Sequence, residues 1–373
     1  MMDKNRKPQE YDLVLGGNNS PPVDGLVLGG IEGVKKRLES SDVNARIAAV
    51  REALKYGDEG IDVIINTLED SSRFVQNAAA KALKQNGGLR GKEAILKCDP
   101  YLYFSFVDRG EFNLERFSTL EEFANLLTDS QASEIEALYC GLGSEGQYLF
   151  GQYLEAICDA KDQLPNLKAL FIGDDAQRQF RESYLDVFDI RPFLEAYPKL
   201  EVLQVSGSFF VYPLECEGFR HENLKTLIIE TVDLSNYNLT QICNLDLPML
   251  EYLEIWLGIK IYSIDNELDS LFLGKSFPNL KYLGLKSAGP ADIIAEKIIN
   301  SSLLDRLLIL DLSMGCLTDE GANLLRNFPK IEKLHTLDIS ENYGYSYEDG
   351  GQKYYCCDKG SDRYSALYES LYE

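Results

Sequence analysis

Hydrophobic residues in the last two thirds of the chain follow a fixed frame. The stretch 307–325, LLILDLSMGCLTDEGANLL, shows it most clearly, because its leucines from Leu307 to Leu312 fall in the order Leu-x-x-Leu-x-Leu. This two-residue alternation predicts a short strand, and the apolar residues that follow have helical spacing. Thr318 is placed to cap that helix, with two acidic residues in its first turn. A single strand and helix cannot bury their own apolar faces, so the pattern predicts that copies exist and stack.

Copies of the frame recur through the second part of the chain at intervals that average about 28 residues. Proline often stands two residues before the frame, where it favours an extended entry and cannot continue the preceding helix. The frame opens at Ile135, Leu167, Leu200, Leu224, Leu250, Leu280, Leu307 and Leu334. The sequence therefore predicts an α/β solenoid with a parallel sheet on its concave face and helices on its convex face.

Closer to the N-terminus the apolar spacing becomes helical. The segments 41–57 and 71–87 align with one another at an offset near 30 residues, and alanines recur at matching positions. Apolar helices over 31–38 and 61–68 precede them. Two helix pairs with small residues where helices approach predict a short all-α solenoid.

These changes in pattern predict five regions. They are a Gly/Pro-rich leader at 1–30, helical repeats at 31–87, a connector and N-terminal cap at 88–130, strand–helix repeats at 131–345, and an acidic, Tyr-rich tail at 346–373.

The cap is predicted in more detail. Alternating bulky residues at 101–107 indicate a strand, 108–113 a turn, and 120–127 an amphipathic helix capped by Ser118 or Thr119.

Charge narrows the function classes. The net charge of −23 disfavours nucleic acid and anionic membranes as partners, since phosphate binding needs a basic surface. Two interpretations remain open, an aid to solubility and a surface that attracts a basic partner. The start of the chain lacks the apolar core of a signal peptide, and no apolar run approaches about 20 residues, so a cytoplasmic location is expected.

Metal and cofactor chemistry find little support in the sequence. The eight cysteines include no C-x-x-C pair and the chain has only two histidines, so no metal site and no cofactor are predicted. No G-x-S-x-G or H-E-x-x-H motif is present, and a non-enzyme is expected.

One motif offers a minor alternative. Residues Gly141–Gly146 form G-x-G-x-x-G between a predicted strand and helix, the context of a dinucleotide site. Glu145 would place a carboxylate where the pyrophosphate should bind, and the strand belongs to the repeated frame. Glycine turns after strands also arise because the chain must turn sharply.

Two resemblances add to this picture. The stretches LPNLKALFIGDD (164–175), LPMLEYLEIWLG (247–258) and FPNLKYLGLKSA (277–288) resemble a family of bacterial leucine-rich-repeat proteins of unknown function, with repeats of ribonuclease-inhibitor type. The resemblance implies the solenoid fold and an interaction role, without catalytic residues. The asparagine common nine positions into such repeats occurs only as Asn342, so looser turns are expected.

The alanine-rich helical pairs at 41–57 and 71–87 resemble HEAT-like repeats of the kind found in phycobilisome lyases. This resemblance implies a second possible function, that of an accessory, chaperone-like factor for tetrapyrrole (phycobilin) attachment.

The predicted binding site lies on the concave face. Residues between the frame leucines line that face, and the fifth and sixth repeats place tyrosines and a tryptophan together. Such aromatic clusters are typical of protein-binding hot spots. The alternative is that Trp256 packs under a loop and the tyrosines are ordinary strand residues. The candidate residues are Tyr252, Glu254, Trp256, Tyr282, Asp311, Asp338, Tyr139 and Phe171. The predicted function is a non-catalytic scaffold or adaptor that binds a protein or peptide, with a basic one favoured by the charge.

Overall fold

The structure is a computed structural model, and it describes residues 30–104, 112–141, 150–173, 189–206, 218–231, 234–258, 264–345 and 352–354. The chain divides into two compact units, Met1–Cys98 and Asp99–Glu373. The region predicted as a connector, 88–130, is thereby shared between the two units.

The first unit consists of helices in its described part. These are α1 Gly30–Leu38, α2 Val43–Ala53, α3 Gly57–Thr67, α4 Arg73–Asn86 and α5 Gly88–Cys98. The first four match the predicted helix pairs, whereas α5 lies in the region predicted as a connector.

Small residues and a buried arginine help to hold these helices together. A Cβ atom on Gly60 would lie 1.9 Å from the carbonyl oxygen of Ala53, so α3 begins in direct backbone contact with the end of α2. Arg46 Nε lies 2.9 Å from Asp70 Oδ2, and Arg46 Nη1 donates to the Ser40 carbonyl at 2.7 Å. The buried guanidinium therefore joins the turn before α2 to the turn before α4.

The second unit contains a nine-stranded parallel sheet whose strands lie in sequence order. The strands are β1 Leu114–Phe117, β2 Ala137–Gly141, β3 Ala169–Gly173, β4 Val202–Ser206, β5 Thr226–Glu230, β6 Tyr252–Trp256, β7 Tyr282–Lys286, β8 Ile309–Asp311 and β9 Thr336–Asp338. Strands β2 to β9 each begin two residues after a frame opening, as Ala169 follows Leu167. The predicted α/β solenoid architecture is confirmed at this level, and β1 is an additional edge strand that the sequence did not indicate.

Helix α6 Pro100–Phe104 precedes β1 in the chain. The helices that lie between successive strands are α7 Leu120–Leu127, α8 Phe150–Asp159, α9 Arg191–Ala196, α10 Asn236–Cys243, α11 Asp269–Leu273, α12 Ala291–Ile299 and α13 Asp319–Arg326. The frame leucines and the apolar faces of these helices form one core that runs the length of the sheet. Leu138, Leu170 and Leu203 are neighbours in register and are fully buried, because every repeat presents the same leucine position to the helices.

The predicted caps are present. Thr119 Oγ1 accepts a hydrogen bond from Glu122 N at 3.1 Å, and Glu122 Oε2 accepts one from Thr119 N at 3.2 Å, which completes a capping box at α7. Thr318 accepts from Glu320 N at the start of α13. Both helix starts were therefore readable from the sequence.

The strand predicted at 101–107 is wrong where the structure describes it, because residues 100–104 form helix α6. Asp99 caps this helix by accepting from Tyr101 N at 3.0 Å, and Pro100 stands at its first position. Asp followed by Pro is a helix start, and it outweighs the strand propensity of the aromatic residues.

Asn342 joins the last two repeat turns. Its Oδ1 accepts from Gly315 N and Leu317 N at 3.0 and 3.1 Å, and its Nδ2 donates to Leu312 O and Ile339 O at 2.8 Å each. After it, Tyr343–Tyr345 pairs antiparallel with Gln352–Tyr354. The predictions for the leader and for the end of the tail lie outside the described residues.

Candidate interaction site on the inner sheet face

The face of the sheet opposite the leucine core, here called the inner face, carries the residues that lie between the frame leucines. Tyr139, Phe171 and Gln204 are register partners on neighbouring strands, and the same row ends with Asp311 opposite Asp338. The predicted grouping of these residues is confirmed, whereas binding by them stays a prediction.

Two stacked tyrosines stand at the centre of the C-terminal half of this face. The rings of Tyr252 and Tyr282 have centroids 3.8 Å apart and an interplanar angle of 10°. Tyr252 OH donates to Glu254 Oε2 at 2.6 Å, and Tyr282 OH donates to Asp311 Oδ2 at 2.9 Å. Trp256 Nε1 donates to Glu254 Oε1 at 2.7 Å. Each aromatic side chain is therefore held in place by a carboxylate two residues along its strand or on the neighbouring strand.

A buried lysine lies among these carboxylates. Lys286 Nζ lies 3.8 Å from Glu254 Oε1 and 3.8 Å from Asp311 Oδ2, and it stands 4.9 Å from the centroid of the Trp256 ring. Asp338 on the next strand accepts from Ser340 N and Oγ at 2.9 and 2.6 Å. The acidic aromatic cluster is defined as Tyr252, Glu254, Trp256, Tyr282, Lys286, Asp311 and Asp338.

The cluster holds three carboxyl groups and one lysine, and its charges are removed from water. Burial, together with the neighbouring carboxylates Asp338 and Glu254, raises the pKa of Asp311 to about 6, although Lys286 opposes the rise. Burial and the Glu254 carboxylate raise the pKa of Tyr252 well above its usual range, so its hydroxyl remains a hydrogen-bond donor at neutral pH. The cluster is thus short of positive charge.

The side chains of the candidate site are covered rather than open to solvent. Tyr252, Glu254, Tyr282 and Asp311 expose none of their surface, Asp338 exposes 2%, and Trp256 is half-buried.

Helix α6 of the same unit covers the tyrosine pair of the cluster. The Phe104 ring centroid lies 5.6 Å from that of Tyr252 and 6.3 Å from that of Tyr282. Tyr101 meets His335 edge to face at 6.4 Å. Phe104, which the sequence placed in the cap, therefore lies across the tyrosines of the predicted binding face.

The other half of the inner face is an apolar cluster. Tyr139 and Phe171 expose 7% and 6% of their surface, and Phe112 and Leu114 pack on their side of the sheet. The Arg116 guanidinium carbon lies 4.8 Å from the centroid of the Tyr139 ring. The eight predicted site residues thus fall into two groups, an apolar one and a charged one.

Sequence reasoning missed Lys286 and α6 as parts of the site. Lys286 stands at the same position relative to the frame as Trp256 one repeat earlier, and this equal spacing is the signal for a cation beside the tryptophan ring. For α6, the signal was the helix start at Asp99 and Pro100, directly before four bulky residues.

Other predicted sites are tested only in part. Gly141 ends β2 and residues 142–149 lie outside the described part, so the dinucleotide motif stays a prediction. Within the described ranges, no group of three or more His, Cys, Asp or Glu residues is arranged to hold a metal ion. Over those same residues, every helix is too short or too polar to cross a lipid bilayer.

Fold and site together define a repeat protein with an open parallel sheet and a covered inner face. No protein-family model and no curated protein matches the chain. The chain is similar to a solved structure, a Bacteroides fragilis protein from a structural genomics programme, with 27% identity and a TM-score of 0.54 over 72% of this chain and 78% of that one. This likeness supports the repeat fold.

Proposed function

We propose that the second unit is a leucine-rich-repeat solenoid of ribonuclease-inhibitor type, preceded by HEAT-like helical repeats, and that the protein is a non-catalytic, cytoplasmic scaffold or adaptor. Eight strands each begin two residues after an opening of the repeated frame, whose leucine positions are also filled by Ile, Val or Cys, and this regularity supports the repeat assignment. The alanine-lined helix pairs support the HEAT-like assignment.

The observation that carries the binding function is the acidic aromatic cluster. Four successive strands, β6 to β9, direct aromatic and charged side chains to one place on the inner face. A sheet that served only as a core would be expected to bury apolar residues there, since buried charges destabilise a fold unless they are well paired.

The partner that this cluster fits is a protein or peptide with basic side chains. Three carboxyl groups face one lysine, and tyrosine and tryptophan rings bind cations through their faces. Residues 99–373 carry the whole of the chain's acidic excess, because Lys and Arg slightly outnumber Asp and Glu in residues 1–98. An acidic second unit attracts a basic partner and repels nucleic acid.

We assign the cluster no catalytic role. Both Glu254 oxygens accept hydrogen bonds from aromatic side chains, and Asp311 accepts from Tyr282 and from Ser313 N. These carboxyl groups position rings and strands.

Capture followed by substitution tests the binding function. The full chain is immobilised, its partner is taken from the native cytoplasm and identified, and the affinity of the purified partner is measured for wild type and for Glu254→Gln. We expect Glu254→Gln to weaken binding by about 2 kcal/mol, the magnitude of a hot-spot residue.

Glu296→Gln is the matched control, because it makes the same charge change at an exposed position of α12. Equal affinities for wild type and Glu254→Gln would reject binding at this cluster. The tetrapyrrole alternative stays a prediction, and a shift of bilin absorbance on addition of the protein tests it.

A further inference from the structure

The two halves of the inner face are covered in different ways. On the N-terminal half, Phe112 and Leu114 lie against apolar residues and continue an ordinary core. On the C-terminal half, α6 lies against carboxylates, hydroxyls and a lysine. Apolar side chains stabilise the first arrangement by burial, whereas in the second they exclude water from charged groups.

In the covered state, the carboxyl groups outnumber the cations and one buried hydroxyl group lacks a hydrogen-bond partner among the described residues. The cluster has an excess of carboxyl groups over cations, and Asp311 has no exposed surface. Thr226, the register partner of Tyr252, has a fully buried hydroxyl with no hydrogen-bond partner in the described part of the chain. Such groups favour a state in which water or a ligand reaches them.

The cover itself is small. Helix α6 has five residues, which is too short for a helix to be stable by itself, so its place depends on the contacts of its rings. Phe104 contacts the tyrosine pair, and Tyr101 contacts His335. Displacing the Phe104 ring would uncover the tyrosine pair.

The cluster also shows how it would hold a cation. The Lys286 ammonium lies between two carboxylates and over the face of the Trp256 ring. A basic side chain from a partner would find the same kinds of group in Asp338 and in the tyrosine faces that Phe104 now covers.

We propose that α6 is a displaceable, autoinhibitory cover, and that a peptide with basic side chains takes its place on the acidic aromatic cluster. The inference rests on the proposed binding function and adds to it the regulation of the site. Because α6 follows α5 directly in sequence, the first unit is joined to the cover without an intervening linker.

Trp256 provides the assay, because it is the only tryptophan in the chain and belongs to the cluster. Acrylamide quenching of its fluorescence measures how open the site is, and fluorescence titration with hexa-arginine measures binding. The uncovering variant is Tyr101→Ala with Phe104→Ala. Phe74→Ala is the matched control, since it removes an aromatic ring that is 74% exposed in the first unit.

We expect the uncovering variant to be more strongly quenched than wild type and to bind hexa-arginine at least tenfold more tightly, with hexaglutamate showing no binding. Adding Asp338→Asn to the uncovering variant should remove the gain, while Phe74→Ala should behave as wild type. Equal affinity of wild type and uncovering variant, or a gain that survives Asp338→Asn, would overturn the proposal.

A measurement on wild type tests the proposal even if the uncovering variant does not fold. Saturating hexa-arginine should raise the hydrogen exchange of the Leu102 and Phe104 amides in wild type, because the peptide displaces α6. Unchanged exchange at saturation would also overturn the proposal. The binding function is judged separately by Glu254→Gln and the captured partner, so failure of the cover would leave that result standing.

Discussion

Because the pKa of Asp311 is raised, the free energy of unfolding of wild type should change with pH in a way that a variant without this carboxyl group does not share. Its carboxyl group has a pKa of about 6 in the folded chain against 3.8 as the ordinary value, and the residue is fully buried. A folded pKa above the unfolded one means that the folded state holds the proton more tightly. The group's contribution to stability is therefore fully present below the unfolded pKa and is lost as the pH rises through about 6.

The magnitude follows from linkage. A two-unit rise corresponds to about 3 kcal/mol over the whole titration, of which about 1.4 kcal/mol falls between pH 5 and pH 8. Asp311→Asn removes the titrating group and keeps the shape of the side chain. The bonds from Tyr282 OH and Ser313 N end on different oxygens of Asp311, so the single carbonyl oxygen of asparagine keeps one of them, and the loss of the other adds a cost that does not change with pH. The free energy of unfolding of wild type, relative to this variant, should therefore fall by about 1.4 kcal/mol from pH 5 to pH 8.

Urea unfolding at several pH values, followed by Trp256 fluorescence, measures this difference. Taking the difference between two proteins cancels the titration of every group that they share. Asp162→Asn, an exposed substitution of the same type, should show no such slope. A flat difference for Asp311→Asn, or one that rises with pH, would refute the assignment of Asp311 as a carboxyl group disfavoured by burial.

Three further substitutions test the packing. Lys286→Met removes the cation between two buried carboxylates and should lower the free energy of unfolding by about 3 to 5 kcal/mol at pH 8 in urea unfolding; a loss below about 1 kcal/mol would show that the lysine does not balance them. Asn342→Ala leaves two backbone amides and two carbonyls without their side-chain partner, and it should lower the free energy of unfolding by about 3 kcal/mol. Hydrogen exchange at Gly315 N should increase, and unchanged exchange would contradict the role of Asn342. Gly60→Ala places a methyl group against a backbone carbonyl and should lower the melting temperature of the first unit, at a cost of about 2 kcal/mol or more, whereas an unchanged transition would mean that α2 and α3 are not in contact there.

Local signals in the sequence were sufficient where a residue acts on its immediate neighbours. Thr119 and Thr318 each cap a helix by accepting a hydrogen bond from an amide within three residues. The leucine frame predicts each strand from β2 to β9, because the alternation of side chains is a property of the strand itself. The row of inner-face residues also followed from the sequence, since equal spacing from the frame places residues in register on parallel strands.

The periodic pattern did not predict whether the side chains of the inner face are exposed or covered. The inner face of a sheet is exposed or covered according to what the rest of the chain places on it, and here Phe104, Phe112 and Leu114 lie over it. Phe104 is about 150 residues before the strands it contacts, and no local rule of spacing connects such distant positions.

The sequence by itself determined the repeat unit, the order of the strands and which residues share each row, because these depend on short-range periodicity that every repeat restates. Only the tertiary structure decided that the aromatic and acidic residues are covered by α6, that Lys286 lies among them, and that Asp311 is fully buried. The physical reason is that burial and the resulting change in electrostatics arise from contacts between segments far apart in the chain, whereas periodicity is a property of each segment alone.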